Sequence, residues 1–319
     1  MNPLTGVYGA ATALRNTLFD RGVLPSHRLE QPVVSVGNLS VGGSGKTPFV
    51  IALGELLKAR GIRFDVLSRG YRRKTRGVLV VEPDGNAADF GDEPLLIARR
   101  LGVPVIVGES RYAAGQAGER KFQPQLHILD DGFQHRSLAR DFDIVLISER
   151  DFEDKMVPSG RLREPLSSLR RADAIVLPAG VAVDHPALRQ KPIWRIEREL
   201  VLPNLPSAPV VFCGIARPQQ FFAQVRAAGI TPAAEVIFRD HHAYDLDDIQ
   251  ALVSARRDRL ADGFLTTEKD AINLAPQRHC LEPLVVAELR LTLDRPTEVM
   301  NVILARTIFS SSNERKPHS

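Results

Sequence analysis

The chain reads as an α/β protein: a mostly parallel sheet with helices on both faces, followed by a smaller C-terminal α/β domain. Three observations carry that reading. From residue 32 to 178, short runs rich in Val, Ile and Leu alternate with helical patterns. Such runs suit parallel strands covered on both faces. A glycine-rich segment, Ser40-Val41-Gly42-Gly43-Ser44-Gly45-Lys46-Thr47, lies between the first strand run and the first helical run. A stretch punctuated by Pro186, Pro192, Pro203, Pro206 and Pro209 then interrupts the alternation before it resumes.

The N-terminal segment places Leu4, Val7, Ala11, Leu14 and Leu18 at helical spacing, with Tyr8 and Phe19 beside them and Pro25 at its end. Two readings stand: a helix packed on its own domain, or one lying on a membrane surface. Strands are expected at Val33–Val36, Phe64–Ser68, Val103–Val107, Leu126–Leu129, Ile144–Ser148 and Ala174–Leu177. Helices are expected from Phe49 to Arg60 and from Leu95 to Leu101. Beyond the prolines, strands are expected at Val210–Cys213, Ala234–Phe238, Gly263–Leu265 and Leu284–Leu293, with helices near Gln219–Ala228 and Asp247–Arg257. The expected organisation is an N-terminal helix at 1–25, a core domain at 26–180, a connector at 181–208, a smaller domain at 209–309 and a disordered polar tail at 310–319.

The glycine-rich segment has the strand–loop–helix setting of a P-loop, so the core is P-loop NTPase-like. In such a loop, Ser40, Val41, Gly42, Gly43, Ser44 and Gly45 turn backbone amides toward phosphate oxygens. Lys46 reaches the terminal phosphates, and the Thr47 hydroxyl ligates Mg²⁺. Ser40 stands where the usual pattern has its first glycine. Apolar residues lead from His127 into Asp130-Asp131-Gly132. Paired acids at a strand end suit a Walker-B metal site, although Asp-Asp-Gly is also a common turn.

Gly91-Asp92-Glu93-Pro94 opens a helix. Asp92 suits an N-cap, and it equally suits a general base for a hydroxyl nucleophile. Arg69-Gly70-Tyr71-Arg72-Arg73-Lys74 follows a strand, as a solvated charge run or as a grip on an anionic substrate. Arg163 and Glu164 form either a surface ion pair or part of a phosphate and metal shell. Asp240-His241-His242 lacks the further ligands of a zinc site; an Asp–His partnership tuning a proton acceptor is the alternative. Thr267-Glu268-Lys269-Asp270 lacks the spacer of a guanine-reading loop and reads as a helix cap.

A net charge of +4 suits an anionic partner, a nucleotide or acidic lipid surface among them. Its basic loop has no aromatic interleaving and no nucleic-acid motif, so no nucleic-acid partner is expected. Cys213 and Cys280 form no CxxC pair and suit reduced thiols.

Together these motifs resemble the tetraacyldisaccharide 4'-kinase family. The resemblance runs from Val36-Gly37-Asn38-Leu39 through Ser68-Arg69-Gly70-Tyr71, Gly91-Asp92-Glu93-Pro94, Asp130-Asp131-Gly132-Phe133-Gln134-His135, Gly160-Arg161-Leu162-Arg163-Glu164-Pro165 and Asp240-His241 to Thr267-Glu268-Lys269-Asp270. It implies transfer of the ATP γ-phosphate, with Mg²⁺, to the 4'-hydroxyl of an acylated glucosamine disaccharide 1-phosphate, giving lipid IVA in lipid A biosynthesis. It implies Asp92 as general base paired with His241, Lys46 and Thr47 on ATP and Mg²⁺, Asp130 and Asp131 as Walker-B acids, and Arg163 and Glu164 at phosphate and metal. Arg69, Tyr71, Arg72, Arg73 and Lys74 would meet the anionic substrate. It also implies peripheral attachment to the cytoplasmic side of the inner membrane through the N-terminal helix. A P-loop ATPase switch without a sugar-lipid acceptor is the competing reading.

Overall fold

A computed structural model describes residues 3–309 except 44, 183, 204 and 205; Ser44 and the expected tail at 310–319 lie outside the described residues. Helix α1 (Pro3–Asp20) leads into β1 (Val33–Asn38), α2 (Lys46–Ala59), β2 (Phe64–Ser68), β3 (Leu79–Val80), α3 (Ala87–Phe90) and α4 (Asp92–Leu101). Next come β4 (Val105–Val107), α5 (Arg111–Phe122), β5 (Leu126–Asp130), β6 (Phe142–Leu146), β7 (Ala174–Pro178) and β8 (Ile193–Val201). The chain finishes with β9 (Val210–Cys213), α6 (Pro218–Ala227), β10 (Ala234–Ile237), α7 (Leu246–Asp258), β11 (Phe264–Thr267), α8 (Glu268–Asn273), β12 (Leu284–Leu293) and α9 (Pro296–Arg306).

Among the described residues the strands form one 12-stranded sheet, ordered β10-β9-β11-β12-β8-β7-β6-β1-β5-β2-β4-β3. Its centre is parallel: β1 lies between β5 and β6, with Val36 opposite both Asp130 and Ile144. β1, β2, β4, β5 and β6 are buried along their whole length, as strands covered on both faces must be. β12 runs antiparallel to β8, pairing Leu289 with Leu200 and Leu293 with Ile196.

The expected connector at 181–208 is corrected here. Its residues 193–201 are β8, which joins the sheet's two halves through β7 on one side and β12 on the other. The strand alternates: Trp194 and Ile196 are buried, while Ile193 and Glu197 are exposed. Charges on the open face dilute the apolar signal, which is why the prolines dominated the sequence reading. Nor is the C-terminal half self-contained. Leu291, Leu293, Val299, Met300, Ile303 and Leu304 belong to the core built on β1 and α2. Smaller clusters around Phe212 and around Phe222 hold the rest of that half.

Helix α1 inverts the usual arrangement. Leu4, Val7 and Leu14 are 62%, 67% and 61% exposed. Its polar side faces the protein: Asn16 Nδ2 donates to Glu164 at 2.7 Å, Arg136 reaches the Asn16 carbonyl at 2.9 Å, and the Tyr8 hydroxyl donates to the Arg163 carbonyl at 3.2 Å. A helix docked by its polar groups leaves apolar side chains such as Val7 and Leu14 exposed.

Candidate active site

The parallel strands end along one edge, where open α/β sheets gather ligands. Gly45 turns the chain into α2 with φ +88°, the left-handed region that favours glycine. Lys46 opens the helix; its Nζ lies 3.1 Å from Asn38 Oδ1 and 3.4 Å from Asp131 Oδ1. Thr47 is buried on the first turn. The loop's entry is stitched to residues 161–163: Val41 N donates to the Arg161 carbonyl at 2.8 Å and Arg163 N to the Leu39 carbonyl at 2.6 Å. Ser40 is wholly buried, in an antiparallel bridge with Leu162. Val41, Gly42 and Gly43 stay exposed.

Asp130 ends β5 beside the loop. Its Oδ2 accepts from the Ser68 hydroxyl at 3.1 Å, while its Oδ1 is buried with no hydrogen-bond partner. Burial, together with the Glu93 and Asp131 charges, pushes this carboxyl up to about 7. Asp131 goes the other way: against the cost of burial, Lys46 and Arg163 hold it below the usual carboxylate range. Arg163 Nη1 donates to Asp131 Oδ2 at 3.0 Å.

These residues fit a hard divalent cation. The donors at hand, Thr47, Asp130 and Asp131, are all oxygen, and one Asp130 oxygen is buried without a protein partner. Mg²⁺ takes only one or two carboxylates and fills its shell with water and phosphate. Among the described residues no group of three or more His, Cys, Asp and Glu side chains is placed to hold a metal ion. Glu164, expected in the same shell, is committed elsewhere: Asn16 holds it at 2.7 Å and Arg171 at 2.9 Å.

A second group of residues surrounds Asp92 at the start of α4. Gly91 must hold φ +90° there, with the Tyr71 carbonyl 3.1 Å from where a Cβ would stand. His241 Nδ1 lies 2.7 Å from Asp92 Oδ2. Glu93 N donates to the other oxygen at 2.8 Å. Asn273 Nδ2 donates to Oδ2 at 3.4 Å. Lys269 Nζ stands 2.9 Å from Glu93 and 3.9 Å from Asp92. Burial opposes ionisation of Asp92, but the His241 hydrogen bond and the Lys269 charge outweigh it and lower its pKa. Lys269 is itself raised: despite burial, Glu93 and Asp92 hold its proton. Asp92 is thus both the helix-start residue and the buried centre of a partly buried ion cluster.

The basic loop is divided by its contacts. Arg73 pairs with Glu109 at 2.7 Å, its side chain only 3% exposed. Arg72 donates to the Asp240 carbonyl at 2.7 Å and so braces the His241 turn. Tyr71 meets the His241 ring edge-on at 5.5 Å. Arg69, Tyr71 and Lys74 remain open to solvent.

Two positions escaped the sequence reading. Lys269 sits in a segment read as a cap, and Thr267 does cap α8 by accepting from Asp270 N at 3.3 Å. Its charge partner lies 176 residues away. Arg111, at the first turn of α5, is buried near Asp130 and Asp131, and burial lowers it to about 10. Neither carries a local signal beyond a basic residue at a helix start.

The family model described as tetraacyldisaccharide-1-P 4'-kinase matches residues 1–308. A tetraacyldisaccharide 4'-kinase of Koribacter versatilis is 48% identical over 303 residues, covering 92% of this chain and 94% of that protein. Its counterpart from Aquifex aeolicus is 39% identical over 289 residues, covering 85% and 88%. A crystal structure of Aquifex aeolicus LpxK, described as an "apo" form in complex with ATP, superposes with a TM-score of 0.79 at 34% identity, covering 96% of this chain and 98% of that one.

Proposed function

Because the chain belongs to the tetraacyldisaccharide-1-P 4'-kinase family, we propose that it transfers the γ-phosphate of ATP to the 4'-hydroxyl of a tetraacylated glucosamine disaccharide 1-phosphate, the step that gives lipid IVA in lipid A biosynthesis. The single observation that carries this reading is the placement of a buried, His-paired carboxylate, Asp92, across the sheet edge from a P-loop.

A sugar hydroxyl is a weak nucleophile, so the transfer needs alignment, charge stabilisation and a proton acceptor. Asp92 accepts the hydroxyl proton as the oxygen attacks phosphorus. Its lowered pKa keeps it ionised and ready at neutral pH. His241 fixes the orientation of the carboxylate and shares the arriving proton. Lys46 and Arg163, now on Asp131, turn to the phosphate oxygens when the nucleotide arrives and spread the charge that builds during transfer. Thr47, Asp130 and Asp131 would hold Mg²⁺, which neutralises phosphate charge when bound. Arg69, Tyr71 and Lys74 line the side from which an anionic disaccharide approaches.

The open stripe of α1, Leu4, Val7 and Leu14, suits insertion into a lipid surface. No helix among the described residues is long and apolar enough to cross a membrane. Attachment would then be peripheral, on the cytoplasmic side of the inner membrane, where ATP and the lipid acceptor meet.

The test is tandem mass spectrometry of the disaccharide lipid after incubation with ATP and Mg²⁺. One added phosphoryl group on the distal sugar is expected. An unmodified lipid beside consumed ATP would favour the ATPase-switch reading instead.

A further inference from the structure

Asp92 and His241 stand 149 residues apart in the chain, and one short helix, α8, meets the surroundings of both. Towards the carboxylate it presents Lys269, whose Nζ is 3.9 Å from Asp92, and Asn273, one turn on, which donates to it at 3.4 Å. Asp270, next to Lys269 in the chain, meets the turn that carries the histidine instead. It is wholly buried. Its Oδ1 accepts from the Gly214 amide at 2.8 Å and from the Tyr244 hydroxyl at 2.8 Å, and its Oδ2 accepts from the Thr267 hydroxyl at 2.6 Å. The Gly214 carbonyl in turn accepts from the His241 amide at 3.0 Å. One carboxylate therefore grips the histidine's turn at two points, through Gly214 and at Tyr244.

His241 needs such a hold. Its φ is +57°, in the left-handed region that a residue with a Cβ rarely adopts. Backbone of that kind persists where its surroundings over-determine it. Space is tight as well: a Cβ on Gly214 would lie 2.7 Å from the Arg239 carbonyl and 3.1 Å from Asp270 Oδ1. Tyr244 is itself fixed, edge-on to the rings of Phe212 at 5.8 Å and His242 at 5.0 Å. Arg72 closes the turn from outside, donating to the Asp240 and His241 carbonyls at 2.7 and 3.2 Å. A buried carboxylate with its donors satisfied makes a stiff joint, because leaving any of those donors unpaired is costly.

We propose that Asp270 is a positioning residue of the phosphoryl transfer: by holding the Gly214 amide and the Tyr244 hydroxyl, it sets the His241 ring against Asp92 from the same helix that brings Lys269 to that carboxylate. Asp270 acts only through these neighbours and touches no reacting atom. A small misplacement of a catalytic group is enough to slow the chemical step. This inference rests on the kinase reading above, and it gives the Thr267–Asp270 segment a role beyond capping α8.

Steady-state transfer to the disaccharide lipid by the full chain, with unfolding midpoints measured in parallel, tests it. Asp270→Ala is expected to lower kcat about tenfold to a hundredfold, and Tyr244→Phe, which removes one hydroxyl, severalfold, both with the KM for ATP unchanged. Asp270→Asn keeps an acceptor oxygen for Gly214 and Tyr244 and an amide for Thr267, so it is expected to retain most of the turnover. In a His241→Ala background, Asp270→Ala and Tyr244→Phe are expected to add no further loss, because no ring is left to place. Unchanged kcat in folded Asp270→Ala and Tyr244→Phe overturns the proposal, as does a full additional loss in the His241→Ala background. Should Asp270→Ala fail to fold, Tyr244→Phe decides by the same two outcomes. Wild-type transfer keeps the two ideas apart: if it is present while the variants keep their turnover, this proposal fails and the kinase reading survives. A lipid left unmodified by the wild type removes the kinase reading and this inference with it.

Discussion

The two flanks of the P-loop strand are built on opposite principles. On the β5–β2 side, acids are already paired: buried Asp92 with His241, and half-buried Glu93 with Lys269 and Asp131 with Lys46 and Arg163. On the β6–β8 side, arginines crowd an open cavity. The packed flank holds a carboxylate in one orientation, as proton transfer needs. The open flank offers positive charge and room. A cleft divided in this way has a charge asymmetry before any ligand enters it: paired acids on one side, arginines on the other. Both flanks draw side chains from the C-terminal half, Lys269 and His241 on one, Arg217 on the other.

Removing the carboxylate should separate the flanks most sharply. Asp92→Asn keeps the shape and removes the proposed base; turnover should fall about 10²–10⁴-fold, the usual scale for a general base, with ATP affinity unchanged in calorimetry. A comparable fall in ATP affinity would merge the two flanks into one site. Lys46→Met should lower turnover about 10²–10³-fold through lost phosphate stabilisation, read in the same steady-state assay. Lys269→Met leaves buried Asp92 and half-buried Glu93 without their cation. Denaturant unfolding should show a loss of about 3–5 kcal/mol, and the acid limb of the turnover profile should move to higher pH as Asp92 loses a charge that lowers its pKa. An unmoved limb would make Lys269 a purely structural residue.

A control lies away from the cleft. His127 is buried 2.6 Å from Asp65 and 3.4 Å from Glu119, and although burial opposes its charge, the two carboxylates raise its pKa to about 9. The folded pKa exceeds the unfolded one. Its contribution is therefore complete below about pH 6.5 and fades as pH rises toward 9, by up to about 3 kcal/mol. His127→Gln should flatten the stability profile over that window without changing the turnover profile near neutrality. A shift in the latter would tie this buried triad to the active site.

Much of the architecture was legible in residues with local meaning. Val210–Cys213, Phe64–Ser68 and Leu284–Leu293 read as strands because apolar runs of that length have few other uses. The P-loop read clearly because glycine, lysine and threonine must follow a strand in fixed order. β8 did not, since Arg195, Glu197, Arg198 and Glu199 mask its buried face. The outward stripe of α1 was visible as a pattern, yet its orientation depended on Asn16 finding Glu164 across 148 residues. The cleft's polarity was invisible for the same reason: Lys269 and Arg217 acquire meaning only beside Glu93 and Gly43. Long-range pairing of charges has no period for a sequence to display.

The coupling of nucleotide consumption to acceptor tests the divided cleft most directly. ADP release by the wild-type protein should be negligible without the disaccharide lipid and should match phosphorylated lipid one to one when it is supplied. ADP release at the same rate with and without the lipid would contradict the account.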